Sequence, residues 1–177
     1  MALRPSSDQT ASYRIDELRA FIDTPGVEQR YLEYWSRFAS SPLGITGFNW
    51  AAACFGLNWC FYRKLFGTGV ALVAIEFVLS ASAAMVVLIA LGESVLSHYE
   101  FAIGILGMIP ARIALGALAD TIYFRRACAV VAKANADEPD PDRRREAIKS
   151  QGGISEVALG VGIALSIASH VLVRILL

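Results

Sequence analysis

Residues 65–91 read LFGTGVALVAIEFVLSASAAMVVLIAL, and Glu76 is the one ionisable side chain among them. As a helix this stretch is about 40 Å long, enough to cross a hydrocarbon core of about 30 Å with tilt. Two further apolar stretches follow. Residues 101–119 (FAIGILGMIPARIALGALA) make about 28 Å of helix, with Pro110 expected to kink it and Arg112 as the one charge. Residues 155–176 make a third, opened by Ser155 as cap and Glu156 in the first turn. The predicted fold class is therefore an all-α integral membrane protein with three transmembrane helices.

The whole chain agrees with this. Hydrophobic residues are 55% of its 177, above the roughly 45–50% of soluble domains. Sixteen Lys and Arg balance sixteen Asp and Glu, so there is no cationic excess to neutralise phosphates, and nucleic acid is excluded as a partner. The expected partners are the lipid bilayer and other membrane chains or further copies of this one.

Outward from the spans, residues 1–47 read as a polar N-terminal helical pair and linker, and 48–177 as the membrane domain. Residues 1–11 are expected to be a loose tail. A first helix runs from Ser12 to about Asp23, with Ile15, Leu18, Phe21 and Ile22 at helical spacing. Thr24 is expected to cap a second helix beginning at Pro25, whose apolar face is Val27, Tyr31, Tyr34, Trp35 and Phe38. SPLGITG (41–47) is a linker. FNWAAACFGLNWCFY (48–62) is apolar but only about 22 Å as a helix, too short to span. Its tryptophans favour the membrane interface, so it is expected to lie there or dip part-way in. Trp50, Trp59, Arg63 and Lys64 would seat it. Residues 92–100 read as a short acidic loop. The segment 120–153 is amphipathic to about residue 135, with Tyr123, Ala127 and Val130 on one side, then polar. Asp140-Pro141 can open one more short helix that stops at Gly152-Gly153.

Basic residues flanking the spans set the expected topology. Arg63 and Lys64 precede the first span, and Arg125, Arg126, Lys133, Arg143, Arg144, Arg145 and Lys149 lie between the second and third, whereas 92–100 has neither Lys nor Arg. The positive-inside rule places the N-terminus and 120–153 in the cytoplasm and both 92–100 and the C-terminus outside, with Arg174 snorkelling at the outer interface.

YLEYWSRF (31–38) followed by GFNWAAACFGLNWCFYRKLF (47–66) resembles a bacterial family of small membrane proteins known as domain of unknown function 2628. Phe48, Trp50, Ala52, Gly56, Trp59, Tyr62, Arg63 and Lys64 carry the resemblance. Weaker matches are Asp120-Thr121-Ile122-Tyr123, where the family has Asn first, and Gly152-Gly153. The resemblance covers roughly residues 28–153. It implies a multi-pass protein of the bacterial inner membrane and no particular activity.

Glu76 and Arg112 are the sharpest candidates for a site. Glu76 lies 12 residues beyond Lys64 and Arg112 lies 12 residues beyond Glu100, each about 18 Å of helix, so an antiparallel hairpin brings both near the midplane, where an isolated charge costs at least about 2.5–3.5 kcal/mol. Mutual pairing is the expectation; an ion or proton pathway is the alternative. Arg125, Arg126, Arg143, Arg144 and Arg145 are candidates for lipid headgroups, blunted by Asp137, Glu138, Asp140 and Asp142. His98 and His170 fall at similar depth but lack metal-ligand spacing, and Cys54, Cys60 and Cys128 form no C-x-x-C. Pairs of small residues such as Gly104 and Gly107 permit close helix packing. No catalytic fingerprint is present, and neither cofactor nor metal is expected. The functional expectation is a non-enzymatic structural or accessory membrane protein; the alternative is a small oligomeric transporter or channel using Glu76 and Arg112.

Overall fold

A computed structural model describes residues 7–36 and 47–176, with side chains described at 15–36 and 47–168. The described chain is all-helical. In order the helices are α1 (Ser7–Ile22), α2 (Glu28–Ser36), α3 (Trp50–Phe55), α4 (Leu57–Tyr62), α5 (Phe66–Leu91), α6 (Glu93–Asp137), α7 (Pro141–Gln151) and α8 (Glu156–Leu176). Three helical stretches are long and apolar enough to cross a membrane: α5, α6, and one within Pro141–Ala168 whose apolar part is the beginning of α8. The membrane-protein fold class therefore holds. Phe38, most of the linker 41–47, and the side chains of His170 and Arg174 lie outside the described residues.

Several boundaries differ from the sequence reading. α1 starts at Ser7, inside the expected tail. Residues 25–27 form a turn, and α2 begins only at Glu28. Thr24 therefore stands four residues before α2, and its hydroxyl donates back to the Ile22 carbonyl at 2.8 Å, at the end of α1. The acidic loop 92–100 is helical from Glu93, so the turn between the first two spans contracts to Gly92, whose φ of 87° favours glycine. The second span and the amphipathic stretch after it fuse into one 45-residue helix that continues across Pro110.

The segment 48–62 is not one helix. It breaks at Gly56, with φ 47° and ψ −112°, into α3 and α4. The Asn49 side chain caps α3 by accepting from the Ala52 N–H at 3.0 Å. α4 ends in a Schellman turn: Lys64 takes a positive φ of 56°, its N–H reaches the Phe61 carbonyl at 2.9 Å, and the Leu65 N–H reaches the Cys60 carbonyl at 2.7 Å. That turn feeds α5.

The described residues fall into two compact units. The first contains α1, α2, α6 from Ala119, and α7 with the chain after it up to Glu156. Its core is aromatic. The rings of Phe21, Tyr31 and Trp35 surround Tyr123 at 5.3, 5.1 and 5.8 Å. Tyr123, Ala127, Val130, Val131 and Ala134 form the buried stripe of α6 here, at helical spacing. Asp140 caps α7 by accepting from the Asp142 and Arg143 N–H groups at 3.0 and 2.9 Å, with Pro141 at its first position. α7 stops at Gly152, which packs on the backbone of Phe21.

The second unit runs from Phe48 to Leu118 and resumes at Val157. Leu57, Phe61 and Ala158 form its buried apolar cluster, with Val73 against it. Small residues permit the close approaches. A Cβ on Gly107 would fall 2.7 Å from the Ser80 Cα, so α5 and α6 meet backbone to backbone there, and the Ser80 hydroxyl donates to the Gly104 carbonyl at 3.1 Å. Gly69 receives Phe61 and Leu57, Gly116 receives Phe48 and Ala53, and Gly162 receives Phe61 and Asn58.

Candidate functional site

The chemistry of the second unit gathers at the α3–α4 elbow. α5 turns Gly69, Leu72 and Glu76 inward, a stripe at helical spacing. α6 turns Ile103, Gly107, Ala111 and Leu115 inward. Arg112 sits at the edge of that stripe, its side chain 27% exposed against 9% for Glu76. The Arg112 Nε donates to Glu76 Oε1, and Nη2 donates to Glu76 Oε2 at 3.3 Å, a forked pair. Nη1 reaches the Cys54 carbonyl oxygen at 3.4 Å. That carbonyl belongs to the last turn of α3, where the helix break leaves acceptors without intrahelical donors and a cation is favoured. The guanidinium fills the notch that Gly56 leaves: a Cβ there would overlap it. Glu76, Arg112 and the elbow therefore form a three-part clasp joining α5, α6 and the α3–α4 segment.

The residues expected to seat the segment in the membrane surface separate. Trp50 is 72% exposed, edge-on to Phe48 at 4.7 Å. Trp59 and Arg63 are buried, and the Arg63 guanidinium lies 5.6 Å from the Tyr62 ring. Trp59 and Arg63 thus pack within the unit. The broken helix points different faces outward than a straight one would. Lys64 closes the turn into α5 and is half-buried.

Of the arginines expected at headgroups, Arg144 pairs with Glu17 at 3.4 Å, and Glu17 also accepts from the Asn135 amide at 3.0 Å. Lys149 pairs with Asp23 at 3.3 Å. These contacts hold α7 to α1. Arg125, Arg126, Arg143 and Arg145 are exposed. An open groove of about 560 Å³ in the first unit is lined by Arg19, Glu28, Gln29, Leu32 and Glu33. Its charges are mixed and its one aliphatic wall is Leu32, so it selects no ligand class. Among the described residues, no cluster of His, Cys, Asp and Glu could hold a metal. His98 stacks edge-on with its neighbour Tyr99 at 4.6 Å.

Cys60 lies buried beside the clasp. Cys54, six residues earlier, is exposed. N-ethylmaleimide applied to the folded protein in mild detergent should spare Cys60, which is buried, and should modify it once the protein is unfolded in dodecyl sulfate. Peptide mass mapping reads the result. Modification of Cys60 in the folded protein would show that the α4 packing is wrong.

No protein-family model, curated protein or solved structure matches the chain.

The helical spacing of Tyr123, Ala127 and Val130 had marked one face of α6, and that face is buried. The elbow had no comparable signal. The Gly-Leu-Asn at 56–58 marks a possible break, but Gly is common inside membrane helices and does not by itself predict one.

Proposed function

We propose that this chain is a non-enzymatic structural or accessory protein of the bacterial inner membrane, assembling with itself or as a subunit of a larger membrane complex. The observation that carries this reading is the closed clasp. Glu76 and Arg112 are spent on each other and on the elbow carbonyl, which gives them a structural task. The outward faces of the spans are apolar. On α5 they include Ile75, Phe77, Val78, Val86 and Ile89, all exposed, and this surface suits lipid or a neighbouring membrane helix. The bacterial inner membrane and a cytoplasmic N-terminus are part of the proposal, supported by the resemblance around residues 31–66 and by the basic residues flanking the spans.

The test is gentle detergent extraction at native expression level, followed by the mass and composition of what co-purifies. A stoichiometric partner chain or a defined homo-oligomer is the expected result. A monodisperse monomer that conducts ions in vesicles, and loses conduction on Glu76→Gln without loss of fold, would replace this reading with the transport one.

A further inference from the structure

The contacts of α3 and α4 register this segment against the two helices it packs on. The Asn49 N–H donates to the Gly116 carbonyl at 2.8 Å, and Gly116 also receives Phe48 and Ala53. The elbow at Gly56 meets Arg112, one helical turn earlier on α6, and through it Glu76. Leu57 and Phe61 then meet Gly69, and the chain passes through Lys64 into α5. Depth follows from helix rise. Gly116 lies four residues before Asp120, or about 6 Å, and Arg112 eight residues, or about 12 Å. Glu76 lies eleven residues after Leu65, or about 16 Å into α5. In a hydrocarbon core of about 30 Å, these distances put the elbow near the middle and the start of α3 near the edge.

A chain segment at that depth needs its backbone polar groups satisfied from within the protein. Asn49 satisfies the start of α3 through its side chain and its own N–H. Arg112 supplies the Cys54 carbonyl at the break, and the Schellman turn closes the end of α4. Outward, α3 presents Trp50 and Phe55 together with Ala51 and Cys54, all exposed and none charged.

We propose that residues 48–62 form a re-entrant element that enters and leaves the bilayer on the side bearing Lys64 and Asp120, with its Gly56 elbow near the midplane and Trp50 and Phe55 against lipid acyl chains. A helix lying flat in the interface would hold positions 50 and 55 at one shallow depth. A re-entrant element holds 55 deeper than 50, by about one helical turn on α6, or roughly 6 Å.

The test uses the full chain in phosphatidylcholine vesicles brominated at defined acyl positions. One variant, Trp35→Phe with Trp59→Phe, keeps Trp50 as the sole reporter. A second adds Trp50→Phe and Phe55→Trp. A third adds Trp50→Phe and Phe77→Trp to report the depth of α5 and to show that the spans have inserted. The expected result is acyl-chain quenching at both elbow positions, with the quenching maximum for Phe55→Trp shifted to deeper bromines. Equal depths at headgroup level, with the α5 reporter deep, would overturn the proposal. If Phe55→Trp does not reconstitute, a nitroxide on Cys54 in a Cys128→Ser background decides. Relaxation by oxygen above that by an aqueous nickel chelate supports the re-entrant element, and the reverse overturns it.

Discussion

Glu76→Gln and Arg112→Gln are each expected to destabilise this protein more than the double replacement does. In the native clasp Glu76 takes two donors from Arg112, and a third guanidinium nitrogen reaches the Cys54 carbonyl. Removing Glu76 strands a guanidinium that keeps its charge in an apolar span, and removing one partner of a buried pair costs about 3–5 kcal/mol. Removing Arg112 strands a carboxylate, at a cost in the same range. The Cys54 carbonyl also loses its donor in that variant. With Gln at both positions no charge remains, and two amides can hydrogen-bond each other. The double variant should recover to within about 1–2 kcal/mol of the parent. Fluorescence-detected size exclusion after a temperature series in mild detergent ranks the four proteins. Additive losses in the double variant would mean that the two side chains do not interact, and the clasp would have to be abandoned.

Gly152→Ala is the second large effect, and it falls in the other unit. Gly152 ends α7 and packs on the last turn of α1. A Cβ there would overlap the Phe21 carbonyl oxygen and fall 2.7 Å from its carbonyl carbon. Backbone atoms at a helix end cannot swing aside as a side-chain tip can. The next residue cannot move independently either, because the Gly153 N–H donates to that same carbonyl at 2.7 Å and Gly153 itself has φ 68°. Relief therefore requires α7 to part from α1, loosening the Arg144–Glu17 and Lys149–Asp23 pairs and uncovering Ile148 and Phe21. The expected cost is about 2–3 kcal/mol. Faster trypsin cleavage at Arg143–Arg145 reads it, with Gly160→Ala as control. Gly160 has open space at its Cβ position and sits inside α8, where Ala is preferred by up to about 1 kcal/mol. Equal cleavage of both variants would show that the α1–α7 contact is not close.

The two effects illustrate what could be read from the chain alone. The spans were legible because lipid selects composition: a run of about 20 apolar residues has few other uses, and the long run around Glu76 is recognisable before any contact is known. The α7 cap was legible for a local reason, since Asp140-Pro141 opens a helix through groups two and three residues away. Glu76 and Arg112 could be matched in depth by counting residues, because helix rise is fixed. The sequence by itself thus determined an all-helical membrane chain, its three apolar stretches and a pair of charges at one level.

Only the tertiary structure decided the elbow. Nothing within 48–62 says that the helix must break at Gly56, because the break is stabilised by Arg112, 56 residues later in the chain, filling the notch and capping the freed carbonyl. For the same reason Trp59 and Arg63, which look like interface residues in one straight helix, are buried once the segment bends. The first unit shows this too. Tyr123 packs against Phe21, Tyr31 and Trp35, all far earlier in the chain, and composition carries no record of which distant rings meet. Local rules fix periodicity, caps and depth, because their partners lie within one or two turns. Contacts between residues far apart in sequence are settled by shape and by the need to satisfy every buried polar group, and these conditions exist only in the folded chain.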